Sequence, residues 1–376
     1  MNGKLSIREL ALPMSLVMIC VIFSTMSPHF LTARNLTMLM IEFSITAILA
    51  IGMLMVILTS HIDLSVGSGV GLIGGIASVL VFRHHFSAPV AMGIGMLAAL
   101  TLWTTMGSLI VLQKMPSFII TLGGLLVFKG LFWMVITSST VPVVPGGQSN
   151  LYSILATYYI SPSTGWGIAA LGIAVAAAAK YRARQQRRSV GLPVEPFGEA
   201  FLSWLVLAQG ITLAVIIANQ YRGIPLSLMI LVVVGVIIDF VCRHTRFGRY
   251  LYAIGGNEEA AFLSGIPVAR VVIGAYAILG FVVGMTGFMQ TSYSGASTST
   301  VGDLMELDAI AACVMGGASL KGGKGSVAGV LIGALIMACL LNGMTLLAVS
   351  PEKKFIARGL VLALAVWVDI RLGKSK

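Results

Sequence analysis

The chain has 376 residues, 57% of them hydrophobic and only 10% charged, against roughly a quarter charged in an average soluble protein. Apolar runs near the twenty or so residues needed to cross a bilayer recur along the whole length, which excludes a soluble multidomain fold. The formal charge of +11 therefore calls for a membrane explanation and not a nucleic-acid one, because nucleic-acid binding needs a basic face on a soluble fold.

Hydropathy places spans at about 10–26, 36–60, 67–82, 87–113, 116–137, 164–180, 201–219, 225–241, 270–291, 305–320, 325–349 and 356–370, a pattern of about twelve crossings. Lys4 and Arg8 precede the first run as in a signal peptide, but no small-residue cleavage site follows, so the run reads as a first transmembrane helix. With the N-terminus inside, the outer side holds only Arg34, Arg83, Arg222, Lys353, Lys354 and Arg358. Lys129 falls within a span, and every other lysine and arginine is inside. The positive-inside rule then predicts an all-α polytopic protein, one transmembrane domain over 1–376 with both termini cytoplasmic.

Along the chain, Asp63, Ser65 and Ser68 open the third span, whose GSGVGLIGG (67–75) favours close helix packing. Gly69, Gly71 and Gly74 fit a dinucleotide fingerprint only as a pattern, since no soluble strand-turn-helix surrounds them. The outer loop 138–163 carries no charge. Residues 164–219 read as a helical hairpin around the basic inner loop KYRARQQRR (180–188), suited to anionic lipid. The polar segment 242–269 contains AIGGNEEAAFLSGIPVAR (253–270): Asn257 is a good N-cap, Glu258 and Glu259 favour the first turn, and Gly265 with Pro267 ends a helix of about two turns. Asp308 and Asn342 are polar groups in or beside apolar spans, which must find partners or line a wet path. LKGGKGS (320–326) lacks the hydroxyl residue after Gly-Lys that a P-loop requires, so ATP hydrolysis is not expected of this chain. Aligning Gly67 with Gly325 also matches Ser68, Gly71 and Gly75 to Ser326, Gly329 and Gly333, a faint echo compatible with two similar halves.

No catalytic constellation, metal set or cofactor site is expected, and the four cysteines read as small core residues. Ionisable groups within spans are few, chiefly Glu42, Lys129 and Asp239, which argues against a carrier driven by protons or ions. A pore-forming subunit powered by a partner, a stand-alone carrier or channel, and an intramembrane enzyme remain in play on these grounds.

Glu259-Ala260-Ala261, three residues, then Gly265 matches the E-A-A-x-x-x-G pattern of ABC importer permeases, and YAIGGNEEAAFLSGI (252–266) resembles the sugar permeases of the ribose and xylose type. ILTSHIDLSVGS (57–68), PSFIITLGGLLVFKG (116–130), ELDAIAACVMGGASLKGGKGSVAG (306–329) and LALAVWVDI (362–370) are similar to that family in the same order. The resemblance implies a ten-helix core, with 164–219 as an insertion of the xylose type. It also implies a homodimer working with ATP-binding cassette subunits and a periplasmic sugar-binding protein in the bacterial inner membrane. It gives Gly256, Asn257, Glu258, Glu259, Ala260, Ala261 and Gly265 the role of a coupling helix seated on the ATPase. Phe262 stands where the family usually has arginine. Asp63, Ser65, Ser68, Asp308 and Asn342 are the expected pathway residues.

Overall fold

The computed structural model describes residues 7–146 and 148–373, with side chains described for 12–146 and 148–367. The chain is built from α-helices. The N-terminal half holds α1 (Ile7–Met26), α2 (Ala33–Ile57), α3 (Val66–Phe82), α4 (Ala88–Leu112), α5 (Ser117–Ile136) and the short α6 (Leu151–Thr157). The middle holds α7 (Pro162–Ser189), α8 (Phe197–Asn219), α9 (Leu226–His244), α10 (Arg246–Gly256) and α11 (Glu258–Leu263). The chain continues through α12 (Val268–Ser294), α13 (Met305–Met315), α14 (Val327–Leu346) and α15 (Pro351–Gly373). Among the described residues, eight helices are long and apolar enough to cross a bilayer (α2, α4, α5, α7, α8, α9, α12 and α14), while α3 is apolar but shorter. The chain is a polytopic membrane protein.

Helix α2 forms the centre. Its side chains from Ala47 to Ile57 are buried all round, as expected of a helix apolar on every face. Against it lies α12, and α12 packs on α4 along a seam of small residues. Gly107 faces Tyr276, Gly280 faces Trp103, and Gly95 faces Phe288, so the two helices run antiparallel. Lipid supplies no hydrophobic drive between helices, so close approach through glycine is what holds such a seam.

Two ends follow from these contacts. At one, Gly323 N donates to Leu58 O at 3.0 Å, Ser60 Oγ donates to Lys321 O at 2.7 Å, and Tyr252 OH donates to Gly325 O at 2.9 Å. At the other, β1 (Val141–Pro142) pairs antiparallel with β4 (Ala296–Ser297), and β2 (Tyr159–Ile160) with β3 (Ile224–Pro225). Arg83 caps this second end through Ile136 O and Ser139. Residues Arg243, Arg246, Arg249, Lys321 and Lys324 belong to the first, basic end.

Two irregular segments interrupt the bundle. Residues 58–65 leave the basic end and reach Trp103, well inside α4. Residues 298–304 descend from the other end until Gly302 lies on Gly67. A Cβ on Gly302 would sit 2.1 Å from Gly67 O, and one on Gly67 2.5 Å from Gly302 O. With φ of 88° at Gly302 as well, no other residue fits that crossing. Such backbone is tolerated at depth only because protein or a cavity surrounds it. The predicted crossing at 305–320 is thus a helix of 11 residues, about 16 Å long and too short to span alone. Leu304, in the left-handed region, precedes its first residue Met305, and it stops at the glycines 316 and 317.

Candidate functional site

At the basic end, α10 and α11 form a corner. Asn257 separates them in extended conformation and its side chain accepts from Ala260 N at 2.9 Å, capping α11. Glu258 and Glu259 occupy the first turn, and Gly265 turns the chain away at φ of 78°. A helix of six residues is too short to hold itself in water. Its support is Ala261, which is buried, together with the seat of α10: a Cβ on Gly255 would meet Leu58 O at 1.9 Å and Gly323 N at 2.3 Å. Gly256, Asn257, Glu258, Glu259 and Ala260 are exposed. Phe262 and Leu263 are 69% and 78% exposed, two apolar side chains presented outward beyond the end of the bundle.

This corner touches the irregular segment 58–65. Burial holds the His61 imidazole below its ordinary pKa, opposed by its bond to Thr59 O and by the negative charge of Glu258. Two residues on, Asp63 is fully buried. Its Oδ1 accepts from Ser65 N at 2.7 Å and Ser65 Oγ at 2.6 Å, and its Oδ2 accepts from Trp103 Nε1 at 2.9 Å. Asp63 and Ser65 thereby form a closed node that positions the start of α3. Ser68, one turn later, is also buried. None of the three lines the cavity described next.

That cavity lies towards the opposite end, between α2, α12, α13, α14 and α15, with a volume of about 320 Å³. Glu42, Thr46, Gln290, Tyr293, Asp308 and Arg358 are among its walls. Glu42 accepts from Tyr293 OH at 2.8 Å and from Asn342 Nδ2 at 3.3 Å, and Asn342 Oδ1 accepts from Asn35 at 2.9 Å. Asp308 Oδ2 pairs with Arg358 Nη2 at 3.1 Å. Gly302 and Met305, which adjoin the crossing with α3, close the floor. Asp303, which also lines the cavity, pairs with Lys129, and Lys129 donates to Ser299 O at 2.9 Å.

The pathway residues expected from sequence therefore divide. Asp308 lines the cavity, Asn342 stands behind it on Glu42, and Asp63, Ser65 and Ser68 are internal supports. Glu42 and Lys129, noted only as charges within spans, turn out to be paired. Trp103, Tyr293 and Arg358 carry roles that the sequence reading missed. A signal for Arg358 existed: an arginine just inside an apolar run calls for a buried acid, and Asp308 is one.

The family model described as branched-chain amino acid transport system / permease component matches residues 35–366. The chain is 38% identical to the xylose transport system permease protein of Escherichia coli, with 97% of this chain and 92% of that protein covered. It is 40% identical to the corresponding protein of Haemophilus influenzae over 90% of each. It is 33% identical to the ribose import permease protein of Escherichia coli over 94% of this chain and 91% of that one. No solved structure matches. The family model covers every helix from α2 to α14 together with most of α15, and these relatives align nearly end to end, so the chain belongs to the branched-chain amino acid transport system / permease component family.

Proposed function

We propose that the chain is the membrane-spanning subunit of an ATP-driven ABC importer that moves a monosaccharide, D-xylose in the first place, from periplasm to cytoplasm across the bacterial inner membrane. The observation that carries this reading is the likeness at 38–40% identity to xylose permeases over nine-tenths or more of the chain. The likeness at 33% to ribose permeases makes ribose the second reading. The chain is a transport subunit and not an enzyme, and ATP is hydrolysed by a separate partner. That partner is an ATP-binding cassette subunit, the sugar arrives on a periplasmic binding protein, and two permease copies form the pore. The basic loop of the α7–α8 hairpin faces anionic lipid.

In this reading the membrane domain has about twelve crossings, a ten-helix core plus the hairpin 164–219. Both termini are cytoplasmic; the terminal residues themselves lie outside the described ones. The basic end is cytoplasmic, and 242–269 is the coupling loop. Phe262 and Leu263 enter the ATPase groove with Glu258 and Glu259 beside them, and the phenylalanine makes the contact more apolar than an arginine would. Closure of the ATPases pushes α11. The push reaches segment 58–65 through Gly255 on Leu58, then the start of α3 through the Asp63 node, then Gly302 at the cavity floor. Asp308 and Asn342 mark the sugar's path. Two packed arrangements of these contacts are what alternating access requires.

Radiolabelled uptake in cells lacking their own pentose permeases tests the substrate. With the ATPase and binding protein co-expressed, D-xylose should enter faster than D-ribose. Uptake of leucine with neither pentose transported would overturn the sugar assignment.

A further inference from the structure

Helix α5 and the segment 298–304 share an outward face that hydrocarbon cannot cover. Lys129 is the thirteenth of the 20 residues of α5, about 18 Å from one end of the helix and about 10 Å from the other. It lies on one stripe with Leu122, Leu126 and Trp133, spaced four, three and four residues apart. Its ammonium pairs with Asp303 and donates to Ser299 O, and Trp133 Nε1 donates to the same oxygen at 3.3 Å. The chain does not seal this cluster. The side chains of Lys129 and Asp303 are 21% and 43% exposed, and Leu126 and Trp133 are 67% and 46% exposed. Asp303 also borders the cavity, but Lys129, Ser299 and Trp133 do not line it. The free surface at these three lies beside α5.

Lipid is excluded as the cover on two counts. An ion pair at that depth gives up its hydration for nothing when acyl chains surround it. Backbone outside a helix, as in 298–304, is tolerated in a membrane only against protein or a water-filled space. A water-filled space within a bilayer itself needs a protein wall on its far side. Helix α9 shows the contrast: Val232, Val233, Val236 and Ile237 are exposed and all apolar, which suits lipid. The cover of α5 is therefore protein. Its face carries one charge of each sign at contact distance, so it is complementary to itself. A two-fold axis through it can set each cation opposite an anion. Beside the stripe, a Cβ added to Gly123 or Gly130 would find nothing within 4 Å, which leaves room for a neighbouring helix to approach closely.

We propose that this face, Leu122, Leu126, Lys129 and Trp133 of α5 with the exposed edge of 298–304, is where a second copy of the chain docks. The inference rests on the two-copy importer reading above and adds which surface the copies share. Its test is cysteine cross-linking in membranes that hold the whole complex. Leu122→Cys and Leu126→Cys alter exposed side chains, so the fold is retained. A bis-maleimide reaching about 10 Å, the spacing of packed helices, should join most of the Leu126→Cys permease into a covalent dimer. Val233→Cys on α9, and the wild type with its own four cysteines, should stay monomeric. A dimer from Val233→Cys at equal or higher yield would overturn the surface. So would the lack of a dimer from both Leu122→Cys and Leu126→Cys where native mass spectrometry counts two permease copies in the purified complex. A count of one copy would instead sink the two-copy reading on which the surface rests.

Discussion

Trp103 and Asp63 illustrate what single residues do in a chain where water cannot satisfy a stray polar group. Substituting Trp103 by Phe keeps most of the volume but removes the N–H that Asp63 Oδ2 accepts. The buried carboxylate is then left short of a donor, so thermal stability in detergent should drop by about 1–3 kcal/mol. Gly255→Val should do more harm, because its side chain would replace contact with Leu58 O by overlap. His61 gives a dependence on pH with a definite sign. Its folded pKa lies below the ordinary value of 6.5, so the unfolded chain takes up a proton first as pH falls. The stabilisation is complete above that value and is lost below it. Melting temperature should fall more between about pH 7 and pH 5 in the wild type than in His61→Gln. Of these residues Asp63 was legible in sequence, as a charge at the start of an apolar run. Trp103 was not, because an indole in a span looks like core until its partner, 40 residues away, is known.

At the scale of elements, the α10–α11 corner and the hairpin make contrasting predictions. The cap, acidic first turn and closing glycine of α11 were readable because each is a local rule acting within four residues. Asn257→Ala should cost about 1 kcal/mol of local helix stability, seen as faster amide exchange over 258–264 with the rest of the bundle unchanged. The α7–α8 hairpin starts and ends beside one ladder, where Ile160 pairs with Ile224, and its core contact is a small cluster around Val215 and Ala218. Replacing 162–222 by a short turn should therefore leave a folded, inserted core, checked by size-exclusion chromatography in detergent. Aggregation of that variant would show the hairpin to be integral to the fold. The short α13 was not legible. Hydropathy sees an apolar run over 305–320 and cannot tell a spanning helix from a half-helix flanked by buried irregular backbone. Only the contacts of Gly302 and Gly67 separate the two.

For the whole molecule, composition and charge were enough to read a polytopic membrane protein, and contacts bring the segment after Arg249 together with the turn holding Lys321 and Lys324. The cavity could not be read, because its walls come from five helices spread from Glu42 to Arg358. In the proposed mechanism the decisive step is the transmission of work by α11 from a partner ATPase to that distant cavity. It is tested most directly by ATPase activity of the reconstituted complex, stimulated by sugar-loaded binding protein, in wild type and Gly265→Pro. Proline fixes φ near −65°, incompatible with the 78° at this position, so the variant displaces the end of α11 and leaves the spans in place. The variant complex should still assemble but lose most of its stimulation, roughly tenfold. Full stimulation in an intact Gly265→Pro complex would contradict that step.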